Sequence, residues 1–218
     1  MKKFKANDNK NEEHEINYRQ FNKKLELLNQ ILSLISDINQ ASDEKEVKDC
    51  IPALLQYTGE YTDADRVYIF ELMSEKQDYY SNTFEWCRKG IIPQIDNLIR
   101  ISADSMPVWH EKFLRGETII IHDLEKIRET MPLEYDILKV QDVHSLLVLP
   151  LFANTQLSGF IGLDNPELVN PGVYISLLSN AGGHLASTLN NLRMFRMLEE
   201  KQKTLESNLE ELQKEKHI

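Results

Sequence analysis

Cysteine is almost missing from this 218-residue chain. Only Cys50 and Cys87 occur, far apart and without a CxxC or Cys/His ligand spacing, which excludes a disulfide framework and a zinc site of familiar spacing. Free cysteine behaves as a small hydrophobe, so reduced, partly buried thiols are expected, with a redox-sensing pair as the rival reading. A long apolar run is missing too. No stretch approaches the ~18 residues that span a bilayer, and Met1-Lys2-Lys3 is followed by no apolar region or cleavage site of a signal peptide, so no membrane contact and a cytoplasmic location are expected. Basic charge is short: Lys and Arg number 25 against 35 Asp and Glu, and the net charge of −10 without a basic cluster argues against nucleic acid as a partner.

Catalytic signatures are also lacking. His110-Glu111 opens like a zinc-protease helix, but Leu114 stands where the second His is needed. Gly182-Gly183-His184 follows no strand and has neither phosphate-loop nor dinucleotide spacing; it suits close helix packing. No Gly-x-Ser-x-Gly elbow, kinase nucleotide signature or Gly-Gly-Asp-Glu-Phe cyclase motif occurs. His122 and His144 stand alone, and a lone His is more often hydrogen-bonded structure than a metal ligand. The expectation is no enzyme and no metal site.

What the chain does have is the material of a folded soluble domain, with 41% hydrophobic and 28% charged residues. Residues 1–15 are polar and are expected to form a disordered tail. From residue 16 to 41, Phe21, Leu25, Leu28, Leu32 and Ile35 step by four and three, a heptad seam, and Leu27, Ile31, Leu34 and Ile38 form a second stripe beside it. That breadth predicts two packing partners. Ser42-Asp43 reads as a helix N-cap before an amphipathic run, in which Pro52 signals a kink or a boundary.

Strand-like segments follow. Residues 66–72 and 79–87 read as an antiparallel hairpin joined by a polar turn, and a long excursion then holds a short helix near 108–114, a strand at 118–122 and a helix over 132–143. Residues 145–152 and 157–164 form the strongest hairpin signal, apolar enough to imply cover on both faces. Gly159 and Gly162 within it point to a bulge or a close approach. After Pro171 a long helix places Leu178, Leu185, Leu189 and Leu192 on a core. Phe195, Leu198, Leu205, Leu209 and Leu212 continue as a heptad with Gln202 at an a position, and no capping signal follows.

This element order resembles the GAF domain, a small-molecule-binding fold related to PAS. The resemblance covers about residues 47–192 and is carried by Ser81-Asn82-Thr83-Phe84-Glu85-Trp86-Cys87, Gly90-Ile91-Ile92-Pro93, Arg115-Gly116-Glu117 and Gly159-Phe160-Ile161-Gly162-Leu163-Asp164-Asn165-Pro166. It implies an α+β fold: an antiparallel GAF/PAS-like sheet flanked by helices, here over residues 42–194, with long coiled-coil-like helices at 16–41 and 195–218. Such domains in bacterial signalling proteins are often followed by a diguanylate cyclase or histidine kinase module, so an output module in the same chain or a separate one is the expected partner.

The resemblance leaves the ligand open. The Asn-Lys-Phe-Asp-Glu signature of cyclic-nucleotide members is not present, and Asp164-Asn165-Pro166 does not replace it. Neither cysteine has the context of a bilin attachment site. The methionine-sulfoxide reductases of this fold use several pocket cysteines, whereas only Cys87 is near that region. The cofactor is therefore unknown. From the residues themselves, Tyr80, Asn82, Phe84 and Trp86 alternate onto one strand face and Trp109 lies in the excursion that roofs it, lining either a ligand pocket or an ordinary core. Phe21, Leu25, Leu28, Leu32, Ile35, Leu198, Leu205, Leu209 and Leu212 are the expected contacts of a parallel homodimer. Two functions follow as alternatives: a non-catalytic sensor that transmits ligand binding through paired helices, or a dimerisation scaffold with no ligand.

Overall fold

The computed structural model describes residues 2–74 and 78–215. Its element order is α1 (Lys2–Gln40), α2 (Glu44–Thr62), β1 (Arg66–Ser74), β2 (Asp78–Cys87), β3 (Ile101–Ser102), α3 (Pro107–Leu114), β4 (Ile119–Ile121), α4 (Pro132–Lys139), β5 (Leu146–Ala153), β6 (Gln156–Asp164) and α5 (Pro171–Glu215). The six strands form one antiparallel sheet in the order β3-β2-β1-β6-β5-β4. The two-faced burial implied by the apolar strands is present. Val67, Ile69, Leu147, Leu149, Ile161 and Leu163 face α1, α2 and α5, while Tyr68, Phe70, Leu146, Val148 and Phe160 face α3 and α4. Side chains alternate across a strand with period two, so each strand serves both layers.

Local chemistry explains the element ends. Asp43 caps α2, its carboxylate accepting from the backbone N–H of Lys45 and Glu46, and Glu46 returns the bond to the N–H of Ser42 at 2.7 Å. The helix continues through Pro52, which sits on the solvent side, so of the kink or boundary expected there the boundary does not occur. Gly159 has φ +153, and a Cβ there would lie 1.9 Å from the carbonyl oxygen of Phe70; the β5–β6 register shifts beside it, between Leu151 and Phe152. Gly182 brings α5 down onto Leu151. The β1–β2 turn read from the sequence lies at 75–77, outside the described residues.

Two readings of the termini need correction. Helix α1 begins at Lys2, so the segment expected as a disordered tail is helical; its Lys and Glu residues favour a helix even without a core to bury. Ile35, expected on the dimer face, is buried in the core with Ile31 and Ile38, and Leu28 packs partly against it. Phe21, Leu25 and Leu32 remain exposed, as do Leu198 and Leu205. The expected contacts Leu209 and Leu212 lie outside the residues whose side chains are described.

Lys24 pairs with Asp63 at the end of α2 and with Glu167 just before α5, while Tyr61 meets Tyr174 edge-on. Helix α1 packs against both α2 and α5. Among the described residues, no helix is long and apolar enough to cross a membrane.

Candidate functional site

Strand β2 pairs with β1 in a register that slips once. Ile69 opposes Phe84, but Phe70 opposes Asn82, leaving Thr83 as the extra residue of a β-bulge. The bulge reverses the alternation. Tyr80 and Asn82 lie on the α3–α4 face, whereas Phe84 and Trp86 pack against the helical core on the other face. Trp86 fills the space above Gly59 of α2, where a Cβ would lie 2.0 Å from its ring. Phe84 and Trp86 therefore do not line the space on the α3–α4 face, whereas Glu85 does.

The excursion from β2 to β5 folds over this face. Pro107 starts α3, whose N-cap position Met106 offers no side-chain acceptor. Glu134 of α4 supplies the cap instead: its Oε1 accepts from the backbone N–H of Val108 at 2.9 Å and of Trp109 at 3.3 Å. One carboxylate thus ties the two roof helices together and sets Trp109 above the sheet. Beneath them is a cavity of about 40 Å³, bounded by Tyr68, Phe70 and Phe160 from the sheet and by Met106, Trp109 and Leu138 from the roof.

A buried ionic network forms one wall. Arg66 donates from Nε to Asp164 Oδ2 at 2.8 Å and from its terminal nitrogens to the carbonyls of Gln141 and Ile92, at 2.7 and 3.4 Å. Tyr68 donates its hydroxyl to Asp164 Oδ1 at 2.9 Å. Burial pushes the Asp164 carboxyl up to about 6, with Arg66 and Tyr68 opposing the rise. The Tyr68 hydroxyl is raised well above its ordinary range by burial and then by the Asp164 charge. Arg66 also borders a polar outer basin of about 210 Å³ between the 90–94 loop and residues 140–142, and so stands between the two spaces.

Polar satisfaction around the cavity is incomplete. The oxygens of Glu85 accept from Asn82 Nδ2 and from the N–H groups of Gln94 and Ile95. Three buried side-chain atoms among the described residues lack a partner: Asn82 Oδ1, Trp109 Nε1 and Glu134 Oε2. All three belong to this layer, and Trp109 and Glu134 line the cavity itself. Buried polar groups are paired in most folded proteins, so these three atoms are free to pair with a water or a small molecule that enters the layer.

Of the residues expected to bind ligand, Trp109 lines the cavity. Tyr80 is fully buried beside it, its hydroxyl 2.8 Å from His110 Nδ1, and Asn82 lies on the sheet next to Glu85. Sequence reasoning missed Arg66, Glu85, Glu134 and Asp164. A signal existed for two of them: Arg66 heads an otherwise apolar strand, and Asp164 ends another. Cys50 and Cys87 do not line the cavity. Burial and then Glu85 push the Cys87 thiol up to about 12, and burial raises that of Cys50, so neither is poised as a thiolate. Among the described residues no group of three His, Cys, Asp or Glu side chains is placed to hold a metal ion.

The model of the GAF domain family matches residues 46–173. A methanogenesis regulatory histidine kinase, FilI, of Methanothrix harundinacea is 30% identical over 124 residues, which are 55% of this chain and 14% of the kinase. The chain therefore spans only a small part of that relative. The phycoerythrobilin-bound GAF domain of a cyanobacterial phytochrome superposes with a TM-score of 0.58 at 16% identity, covering 79% of this chain and 97% of that one. The GAF domain of an Acinetobacter phosphoenolpyruvate-protein phosphotransferase gives 0.58 at 14% identity, over 77% and 94%. The PixJ GAF domain of Thermosynechococcus elongatus gives 0.56 at 19%, over 77% and 98%. At these identities the likeness concerns the fold.

Proposed function

This chain belongs to the GAF domain family, and from that premise we propose that it is a non-catalytic, cytoplasmic sensory module that binds a small molecule and signals through its terminal helices. GAF domains are in general regulatory modules rather than catalysts. The observation that carries the reading is the cavity under the roof helices, with the unpartnered Trp109 Nε1 and Glu134 Oε2 among its lining residues. Shared strands supply the route outward. Tyr68 and Phe70 of β1 face the cavity, while Val67 and Ile69 of the same strand press on the α1–α2–α5 layer. A ligand that favours one placement of the roof and β1 shifts the helices only through its differential affinity for the two states.

The output is a homodimer whose paired α1 and α5 helices act on a module such as a histidine kinase or diguanylate cyclase, in the same chain or a separate one. The histidine kinase relative and the exposed apolar side chains of both helices support this. A bilin, held by some fold relatives, does not fit the residues present. The cavity of about 40 Å³ is far below the roughly 300–1,000 Å³ of ordinary ligand pockets, and neither cysteine lines it. That same small volume favours the second reading, a dimerisation scaffold.

Native mass spectrometry of gently purified protein, followed by thermal-shift screening of nucleotides, amines, amino acids and aromatic metabolites, separates the two. The sensor retains or is stabilised by a ligand, and Trp109→Ala abolishes the response while leaving the dimer intact. A dimer with no response to any compound supports the scaffold.

A further inference from the structure

We propose that the inner cavity selects a compact organic cation that also carries a hydrogen-bond acceptor, the chemistry of a small amino alcohol; the inference rests on the sensory reading above. Charge is the first argument. The carboxylates of Glu85, Glu134 and Asp164 line the cavity against the single cation Arg66. Arg66 is already committed to Asp164 and to the carbonyls of Gln141 and Ile92, so it has little to offer an incoming anion. An anionic ligand would add negative charge where solvent screening is weak. A cation reduces the imbalance, next to the aromatic rings of Tyr68, Phe70, Trp109 and Phe160.

The second argument is which atoms are still unpaired. Both oxygens of Glu85 and of Asp164 accept protein hydrogen bonds. Glu134 differs: Oε1 caps α3, and Oε2 has no partner. An ammonium group donates to Oε2 in a charge-assisted bond. Asn82 Oδ1, unpartnered on the same layer, is a further acceptor. The indole N–H of Trp109 requires the opposite, an acceptor such as a ligand hydroxyl.

Size is the third. About 40 Å³ holds roughly three water-sized positions, which suits a ligand of few heavy atoms and excludes a nucleotide without large rearrangement. Ethanolamine has the charge, the hydroxyl and the size. Because Glu134 also holds the N-terminus of α3, a cation on Oε2 acts directly on the residue that positions the roof.

The test uses the whole chain, labelled with 15N, at neutral pH and constant ionic strength. Its two indole N–H signals come from Trp109 beside the cavity and Trp86 on the opposite face, an internal control. Ethanolamine is titrated beside three probes of similar size: ethylene glycol lacks the charge, propylamine lacks the acceptor, and glycolate reverses the charge. Saturable movement of the Trp109 signal with ethanolamine, at least tenfold weaker binding of ethylene glycol and propylamine, and none of glycolate are expected. Glu134→Gln keeps an amide oxygen for the α3 cap and lowers ethanolamine affinity at least tenfold. Glycolate binding as tightly as ethanolamine, or a Trp109 signal that ethanolamine leaves unmoved, overturns the inference. If ethanolamine fails while a nucleotide, tetrapyrrole or aromatic metabolite moves Trp109, the cation inference falls and the sensory reading stands. If none moves it, both fall.

Discussion

The ring of Tyr68 lies across Gly162 of the neighbouring strand, in the space a side chain would occupy: a Cβ on Gly162 would be 2.2 Å from Tyr68 Cε2. This close approach carries the Tyr68 hydroxyl to Asp164, two residues further along the same strand. Gly162→Ala forces the ring away and takes a partner from a buried carboxylate. Overpacking and the lost bond together are expected to cost about 2–4 kcal/mol, measured by urea unfolding, with Tyr68→Phe losing only the hydrogen-bond part.

Asp164 gives a pH dependence of unusual sign. Burial raises its carboxyl from 3.8 to about 6, so the folded state holds a proton that the unfolded chain has released between those values. Its contribution to stability is therefore greatest below pH 4, declines as pH rises through about 6, and is level above. The difference corresponds to on the order of 3 kcal/mol. Denaturant unfolding of wild type and Asp164→Asn across pH 4–7 checks it. The stability advantage of wild type over the variant shrinks as pH rises; an advantage that grows instead refutes the assignment.

The two tryptophans separate structure from sensing. Trp86→Ala empties the space over Gly59 in the helical layer and lowers stability by about 2–4 kcal/mol, while any ligand-dependent shift in Tm survives. Trp109→Ala removes that shift. A ligand response lost in Trp86→Ala and kept in Trp109→Ala would move the site to the wrong side of the sheet.

Helix pairing has its own signature. Phe21 is 65%, Leu32 52% and Leu205 63% exposed in the single chain, whereas Ile35 is 7% exposed. Replacing Phe21, Leu32 and Leu205 together by Ser is expected to raise the dimer dissociation constant at least tenfold in sedimentation velocity without lowering the stability of the single chain. Ile35→Ser instead destabilises the core by about 2–4 kcal/mol.

Cys87 tests the redox alternative. With its thiol pushed up to about 12, the thiolate is scarce at pH 8, and alkylation by iodoacetamide is expected to be roughly a hundred- to a thousandfold slower than in the unfolded chain. Mass spectrometry of the time course reads this directly. Rapid modification of folded protein would reopen a redox role.

Much of the fold was legible because its signals are local. The Asp43 cap, the 145–164 hairpin, the short helix at Trp109 and the long helix after Pro171 each follow from spacing and residue type within a few neighbours. Trp109 was legible as a roof residue for the same reason. Glu134 was not, because its importance comes from capping a helix that lies 26 residues earlier in the chain at Val108.

The sequence by itself determined the α+β element order, the double-faced burial of the sheet and the two apolar stripes of α1, since periodicity and residue size dictate what must be buried. Only the tertiary structure decided which side chains meet at the site. Thr83 can sit in a regular strand or in a bulge with little local difference, and its own sequence neighbourhood does not choose. Packing chooses: Trp86 against Gly59 on one side, Glu85 against the N–H groups of Gln94 and Ile95 on the other, require one extra residue between Asn82 and Phe84. That single residue exchanges the two faces of the strand and puts a carboxylate where the alternating pattern had placed a tryptophan.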